Sequence, residues 1–244
     1  MNSLEKSPII LRRRNKLHSL VWFFLKMILW FNVISFVLVI SYRFLPVPTT
    51  VTMISRSIAL RKIVNYTWKS YDEISSWMPL ALVANEDQNF PTHNGFDWKG
   101  ISDAYAEQQA GTRFRGGSTI SQQTAKNVFL WQGQSYLRKG IEVYYTFLIE
   151  RLWTKERILE VYMNVAETGA ETFGVEAASQ KYFKKSAEQL TKEQAAQIAG
   201  IFPSPRKWNI NNNSRKNRIL KQMNNLGSGY LKKIEKEILH LWKE

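Results

Sequence analysis

Asn85 to Asp97 reads NEDQNFPTHNGFD and brings Glu86, Asp87, His93 and Asp97 together directly after an apolar run, Trp77 to Ala84. A carboxylate pair at the end of an apolar segment includes a partly desolvated carboxyl, the setting of a general base poised near neutral pH. The same residues also fit a solvated acidic turn with Asp97 as a helix N-cap, and this stretch alone leaves both readings open. A second stretch, RGGSTISQQTAKN from Arg115 to Asn127, sets Gly116 and Gly117 before Ser118, Thr119, Gln122, Gln123, Lys126 and Asn127. Paired glycines ahead of a helix start let backbone N–H groups approach a ligand closely, and Lys126 adds a point charge suited to phosphate. The plainer reading is a helix capped by Ser118 after a flexible loop. In a third stretch, RKGIE, Arg138 and Glu142 stand four apart and share a helix face. In isolation that is a surface ion pair worth about 0.3–0.5 kcal/mol. In a fourth, KERILEVYMN, Arg157, Glu160 and Asn164 fall on one face and read as scaffold, with Gly169 and Gly174 following as turn or close-approach positions.

These groups need a scaffold, and composition bounds it. The chain has 244 residues, with 34 Lys and Arg against 20 Asp and Glu, for a net charge of +14. Such an excess suits an anionic partner: nucleic acid, anionic lipid or a phosphorylated substrate. Cysteine is absent and there are three histidines, which excludes a disulfide framework, a thiol nucleophile and a Cys-ligated zinc, and argues against a multi-His metal site. No basic helix with interleaved aromatics stands out, so nucleic acid is not the expected partner.

Leu20 to Ile40 is apolar but for Lys26, Asn32 and Ser35, long enough to span a bilayer as a helix. No small-residue cleavage site follows it, so it reads as a retained anchor. The organisation expected is a basic tail over 1–19, a transmembrane anchor over 20–42, a linker over 43–50 held extended by Pro46 and Pro48, and a domain over 51–244. Arg12, Arg13, Arg14 and Lys16 favour a cytoplasmic N-terminus, although Arg43, Arg56, Arg61 and Lys62 on the other side weaken that inference. Residues 51–64 mix apolar and basic side chains, and either lie along a membrane surface or pack on the domain.

Beyond Ser75 the pattern is helical throughout and no alternating strand stands out. A helix leads from Pro79 to about Asp87, and Asp97 caps the next. Ser135 opens a long helix with Leu137, Ile141, Tyr144, Tyr145 and Leu148 at helical spacing. Thr154 starts another. Thr191 and Gln194 form a capping box before a helix ended by Pro203 and Pro205. Basic amphipathic segments over 214–226 and 229–242 finish a mainly α chain.

Taken in order, EDQNFPTHNGFD (86–97), RGGSTISQQTAKN (115–127), RKGIE (138–142) and KERILEVYMN (155–164), with the softer FGVEAASQKYF (173–183) and PSP (203–205), resemble the peptidoglycan glycosyltransferases of glycosyltransferase family fifty-one. The resemblance covers about 45–210, and the single anchor without a transpeptidase domain fits the family's monofunctional biosynthetic branch. It implies a lysozyme-like helical lobe with a smaller membrane-proximal lobe. It also implies polymerisation of lipid II into β-1,4 glycan by inverting transfer, with release of undecaprenyl pyrophosphate during cell wall biosynthesis. By resemblance Glu86 is the base and Glu142 the second carboxylate, acting near the donor phosphate through a divalent cation (magnesium or manganese) or a water. Lys126, Arg138 and Lys139 are the expected phosphate contacts. Asp87, His93, Ser118, Thr119, Gln122, Gln123 and Asn127 are expected at the substrate, and Phe90, Gly95, Asp97, Gly116, Gly117, Arg157, Glu160 and Asn164 in structural roles.

Two positions depart from the family pattern: Gln134 stands where an arginine is frequent, and Thr168 where a tryptophan is frequent. The first removes one phosphate contact, which Arg138 and Lys139 supply alone or Arg113 or Arg115 replaces. The expected partners are lipid II, the growing strand, membrane lipids and other cell-wall synthesis or division proteins. A substrate disaccharide outside the cytoplasm puts the domain on the periplasmic side of the inner membrane. The rival readings are a lysozyme-like peptidoglycan-cleaving enzyme, which shares the two-carboxylate logic, and a non-catalytic membrane-anchored scaffold.

Overall fold

The computed structural model describes residues 8–109, 111 and 117–232. It falls into two compact units, Met1–Tyr42 and Arg43–Glu244. Helix α1 (Pro8–Phe44) makes up nearly all that is described of the first. Its stretch His18–Phe44 is long and apolar enough to cross a membrane by length and composition. Consecutive side chains from Leu20 to Leu25 and Met27 to Phe31 are exposed, so the apolar surface runs all round the helix rather than along one stripe. The helix begins at Pro8, within the stretch expected to be a separate basic tail, because nothing between Ile9 and Arg43 breaks it.

The second unit opens on a segment that is docked rather than a free linker. Val47 is fully buried, its carbonyl accepts the Tyr66 hydroxyl at 2.5 Å, and the Leu45 carbonyl accepts the Arg157 guanidinium at 2.5 Å. Neighbouring Pro46 and Pro48 have no N–H to satisfy, so side chains can complete the hydrogen bonding of this extended stretch. Helix α2 (Val51–Leu60) is capped by Thr50 and buries Thr52 and Met53, while Ile54, Ile58 and Leu60 stay exposed. Both readings of this segment thus hold part of it: one face packs and the other is an exposed apolar strip.

Helix α3 (Trp77–Glu86) is buried from Met78 to Ala84 and packs against α9 (Lys192–Ile201) and α10 (Asn213–Leu226). Pro79 sits in its first turn, where the missing N–H leaves no bond unmade. Asp97 caps α4 (Trp98–Gln109) by accepting the Gly100 N–H at 2.8 Å. Helix α5 (Ile120–Phe129) lies against α6 (Tyr136–Leu152) and α7 (Lys155–Val165). Its cap is Thr119 rather than Ser118: Thr119 and Gln122 form a reciprocal capping box, and Ser118 is exposed one residue earlier. Ser135, Thr154 and Thr191 cap α6, α7 and α9 as their spacing indicates. On α6 the buried face is Glu142, Tyr145, Thr146 and Ile149, rotated from the apolar spacing, while Leu137 is 71% exposed.

Within the mainly α fold, where no alternating strand stands out in the sequence, there is a small three-stranded sheet in the order β1 (Asn65–Tyr66), β3 (Thr172–Phe173), β2 (Glu167–Gly169), with β1 parallel and β2 antiparallel to β3. Strands of two or three residues are too short to show alternation. Thr168, at the position of the frequent tryptophan, is fully buried there, its hydroxyl donating to the Thr172 and Gly174 carbonyls. Helix α8 (Gly174–Phe183) follows directly, starting at a glycine with φ +80, where a Cβ would meet the Asn164 carbonyl oxygen at 2.4 Å. Of the last basic segment, 233–242 lies outside the described residues.

Candidate active site

The site is built where the end of α3, the following loop and α5 meet. Glu86 ends α3 half-buried, and each carboxylate oxygen accepts one amide: Asn85 Nδ2 to Oε1 at 2.6 Å and Gln123 Nε2 to Oε2 at 3.1 Å. Gln123 is itself held by the Tyr162 hydroxyl at 2.9 Å. Burial pushes the Glu86 carboxyl up to about 7; the two amides and Lys126 oppose that shift, and Asp87 adds to it. The C-terminal end of α3, with its partial negative charge, acts in the same direction as burial.

Asp87 is buried and turned away from solvent. Its carboxylate receives His93 Nε2 at 2.9 Å and the Ile120 N–H at 2.9 Å, tying the loop to the N-terminus of α5. His93 Nδ1 accepts the Gly95 N–H at 3.1 Å, which leaves Nε2 as the ring nitrogen that faces Asp87. The Thr119 hydroxyl donates to the Gly95 carbonyl at 2.7 Å. Beneath the loop, Lys155 donates to the His93 carbonyl and to Glu150, stacks over fully buried Phe90, and Glu150 accepts the Ser121 hydroxyl. Asp87, His93, Thr119 and Gln122, expected at the substrate, hydrogen-bond to one another and to the backbone, and Asp87 and Thr119 also line a hollow beside Glu86.

Gly95 is the tight point of this loop. Its φ is +89, and a Cβ would come within 2.9 Å of Thr146 and 3.0 Å of Glu150. Gly95→Ala is expected to destabilise the domain by about 1–3 kcal/mol, read as a lower denaturation midpoint. Gly117 shows no such demand, its added Cβ meeting only Ile101 at ordinary contact distance. Gly116, with Arg113 and Arg115, lies outside the described residues.

The cationic half comes from α5 and α6. Lys126 is half-buried one turn after Gln123, and burial lowers its pKa from the usual 10.5, with Glu142 opposing and Arg138 and Lys139 adding to the shift. Glu142 is buried, and its carboxylate is taken by Arg138 at 2.6 Å and by Lys139. Both cations therefore rest on one buried anion, which leaves this cluster a net positive charge with Lys126 included. Gln134 is exposed nearby, and Arg138 Nε donates to the Gly133 carbonyl at 2.8 Å. A divalent cation at Glu142 does not fit this arrangement: both oxygens carry a cationic partner, and no group of three His, Asp or Glu able to hold a metal occurs among the described residues.

Two hollows lie at the site, one lined by Glu86 and the other by its hydrogen-bond partner Gln123. The smaller is lined by Glu86, Asp87, Gln88, Asp97, Ser118 and Thr119 among others. The larger, enclosing about 950 Å³ of solvent-continuous space, is lined by Gln123, Lys126, Asn127, Tyr162, Arg206 and Lys207 among others. Gln123 stands between them, bonded to the carboxylate on one side and facing the basic cleft on the other. Arg157, Glu160 and Asn164 lie apart from both. Arg157 pairs with Glu160 at 2.8 Å and covers Trp68, while Asn164 exchanges hydrogen bonds with both backbone groups of Lys69.

The family described as Transglycosylase matches residues 54–225, a span holding every group named around these two hollows. The biosynthetic peptidoglycan transglycosylase of Mannheimia succiniciproducens is 49% identical over 216 residues, covering 84% of this chain and 88% of that protein. The chain belongs to the transglycosylase family. The relatives from Marinomonas sp., 45% identical over 91% of this chain and 98% of that protein, and from Caulobacter vibrioides, 51% identical over 71% and 76%, carry the same description. In the mainly helical, lysozyme-like domain of this transglycosylase, the hollows just described are lined by residues of the first two motifs and of PSP, together with Tyr162.

Sequence reasoning missed Asn85, Tyr162, Arg206 and Lys207. Tyr162 had a readable signal: a hydroxyl on an otherwise apolar helix face needs a partner when buried. Asn85 adjoins the first motif, and the two cations follow PSP, but nothing local says which way their side chains turn.

Proposed function

We infer that this transglycosylase polymerises lipid II into β-1,4-linked glycan strands of peptidoglycan with Glu86 as general base. The observation that carries the reading is the amide-clamped Glu86 carboxylate, raised to about 7 and connected through Gln123 to a cleft rimmed by Lys126. A base with a pKa near the working pH is ionised often enough to act and basic enough to take a proton. In the reaction the acceptor's 4-hydroxyl oxygen bonds to the donor's anomeric carbon, its proton passes to Glu86, and the carbon–oxygen bond to undecaprenyl pyrophosphate breaks. Attack opposite the leaving group turns the α-linked donor into a β link. The pyrophosphate is already a stable anion, so it needs cations more than a proton. Lys126 supplies the nearest, and Arg138 and Lys139 add theirs when substrate oxygens compete with Glu142 for them. Glu142 holds these two side chains in register, and no step is routed through a metal.

The apolar helix over His18–Phe44 supports a membrane anchor. An N-terminus in the cytoplasm and a domain on the periplasmic face of the inner membrane follow from the basic cluster and from where the disaccharide of lipid II resides. Exposed Ile54 and Ile58 on α2 with Ile63 just after it, and Tyr136, Leu137 and Phe147 on α6, suit contact with lipid. Incubation of the full chain in lipid II-containing vesicles tests the reading. Glycan polymer and undecaprenyl pyrophosphate are expected to accumulate together; soluble muropeptides released from preformed glycan without polymer growth would overturn it.

A further inference from the structure

We propose that Asn85 is a positioning residue, clamping the Glu86 carboxylate from the α9–α10 side as Gln123 and Tyr162 clamp it from the α5–α7 side. The inference rests on Glu86 being the base. Asn85 Nδ2 donates one hydrogen to Glu86 Oε1 at 2.6 Å and the other to the Ala199 carbonyl of α9 at 3.0 Å, and its Oδ1 accepts Arg218 of α10 at 3.4 Å. Both hydrogens of the planar amide are committed, so its plane is set by two helices distant in sequence. The carboxylate therefore meets a fixed donor on each oxygen and keeps the remaining lone pairs for substrate.

The clamp has a chemical effect as well as a geometric one. A donor to the ionised form favours that form, so Asn85 works against the burial that pushes the Glu86 carboxyl up. The other groups facing Glu86 are Asp87 beside it, Gln123 and Lys126 from α5, the Tyr162 hydroxyl from α7 and Arg218, through Asn85, from α10; α9 presents the Ala199 carbonyl. Asp87 and Lys126 oppose one another in sign, which leaves the two amides as the adjustable donors. Arg218 is a positioning residue at one further remove, acting through Asn85.

The test is the pH dependence of kcat/KM for lipid II polymerisation by the full chain carrying Asn85→Ala. The acid limb is expected to move up by about one pH unit, giving about an eightfold loss at pH 6.5 that fades above pH 9, with KM at high pH unchanged. Arg218→Met is expected to cost about twofold at pH 6.5 in the parent and nothing further in the Asn85→Ala background. A purely structural Asn85 would lower the melting temperature and scale activity equally at every pH. That uniform loss, or an Arg218→Met effect of equal size in both backgrounds, overturns the proposal. Glu86→Gln run alongside separates the two readings: if it is inactive while Asn85→Ala keeps the parent profile, the clamp fails and the base stands, whereas an active Glu86→Gln removes both.

Discussion

Glu86→Gln is expected to lower the rate of glycan polymerisation by about 10²–10⁴-fold, the scale of a positioned general base, while the domain stays folded. The parent's activity should rise with pH through about 7, where the buried carboxyl gives up its proton, and the residual activity of the variant should lack that limb. Stability should change in the opposite sense. A folded-state pKa raised from 4.5 to about 7 means that the neutral form suits the fold and the ionised form does not. The stability due to this group is thus fully present below pH 4.5 and is lost as the pH rises through about 7. Glutamine escapes that loss, so Glu86→Gln is expected to equal or exceed the parent by on the order of 1–2 kcal/mol at pH 8 and to lose the advantage near pH 4. Paired activity and denaturation curves at the two pH values check both halves. A variant that polymerises at the parental rate removes Glu86 from the chemistry.

Lys126→Met carries the second largest expected effect. A preorganised cation aimed at a leaving pyrophosphate is worth about 10²–10³-fold in kcat, and Arg138 and Lys139 cannot fully replace it while Glu142 holds them. Burial lowers the Lys126 pKa, so the parent should lose activity on the alkaline side earlier than an ordinary lysine would allow. With Glu86 on the acid side, the profile of kcat/KM should be bell-shaped and narrower than reference pKa values predict. Met keeps the apolar stem and removes a partly buried charge, so no loss of stability is expected. Steady-state rates across pH in the parent and the variant decide it: an alkaline limb that survives Lys126→Met belongs to another group.

Much of this site is written locally. The acidic motif, the paired glycines and the RKGIE spacing each need only a few neighbouring residues, because caps, turns and i, i+4 pairs are set by short-range geometry. What failed to show had partners far along the chain or a signal too short to read. The cap shifted from Ser118 to Thr119 because Gln122, three residues after Thr119, can answer it reciprocally. The apolar spacing on α6 does not mark its buried face, because that face includes Glu142 and Thr146, which an apolar count cannot see. The small sheet does not show in the sequence because β1 pairs with a strand about a hundred residues away and no strand among the described residues exceeds three residues.

By itself the sequence determined a membrane-length apolar helix, a mainly helical domain, the caps of α4, α6, α7 and α9, and a carboxylate and cations in a recognisable order. Only the tertiary structure decided what each of those groups touches. It paired Asp87 with His93, Gln122 with the Thr119 N–H, and Arg138 and Lys139 with Glu142. It also placed Asn85, Gln123 and Tyr162 around Glu86. The physical reason is that burial, and with it the pKa of Glu86, depends on atoms from α5, α7, α9 and α10 closing around the end of α3. No local spacing encodes that enclosure.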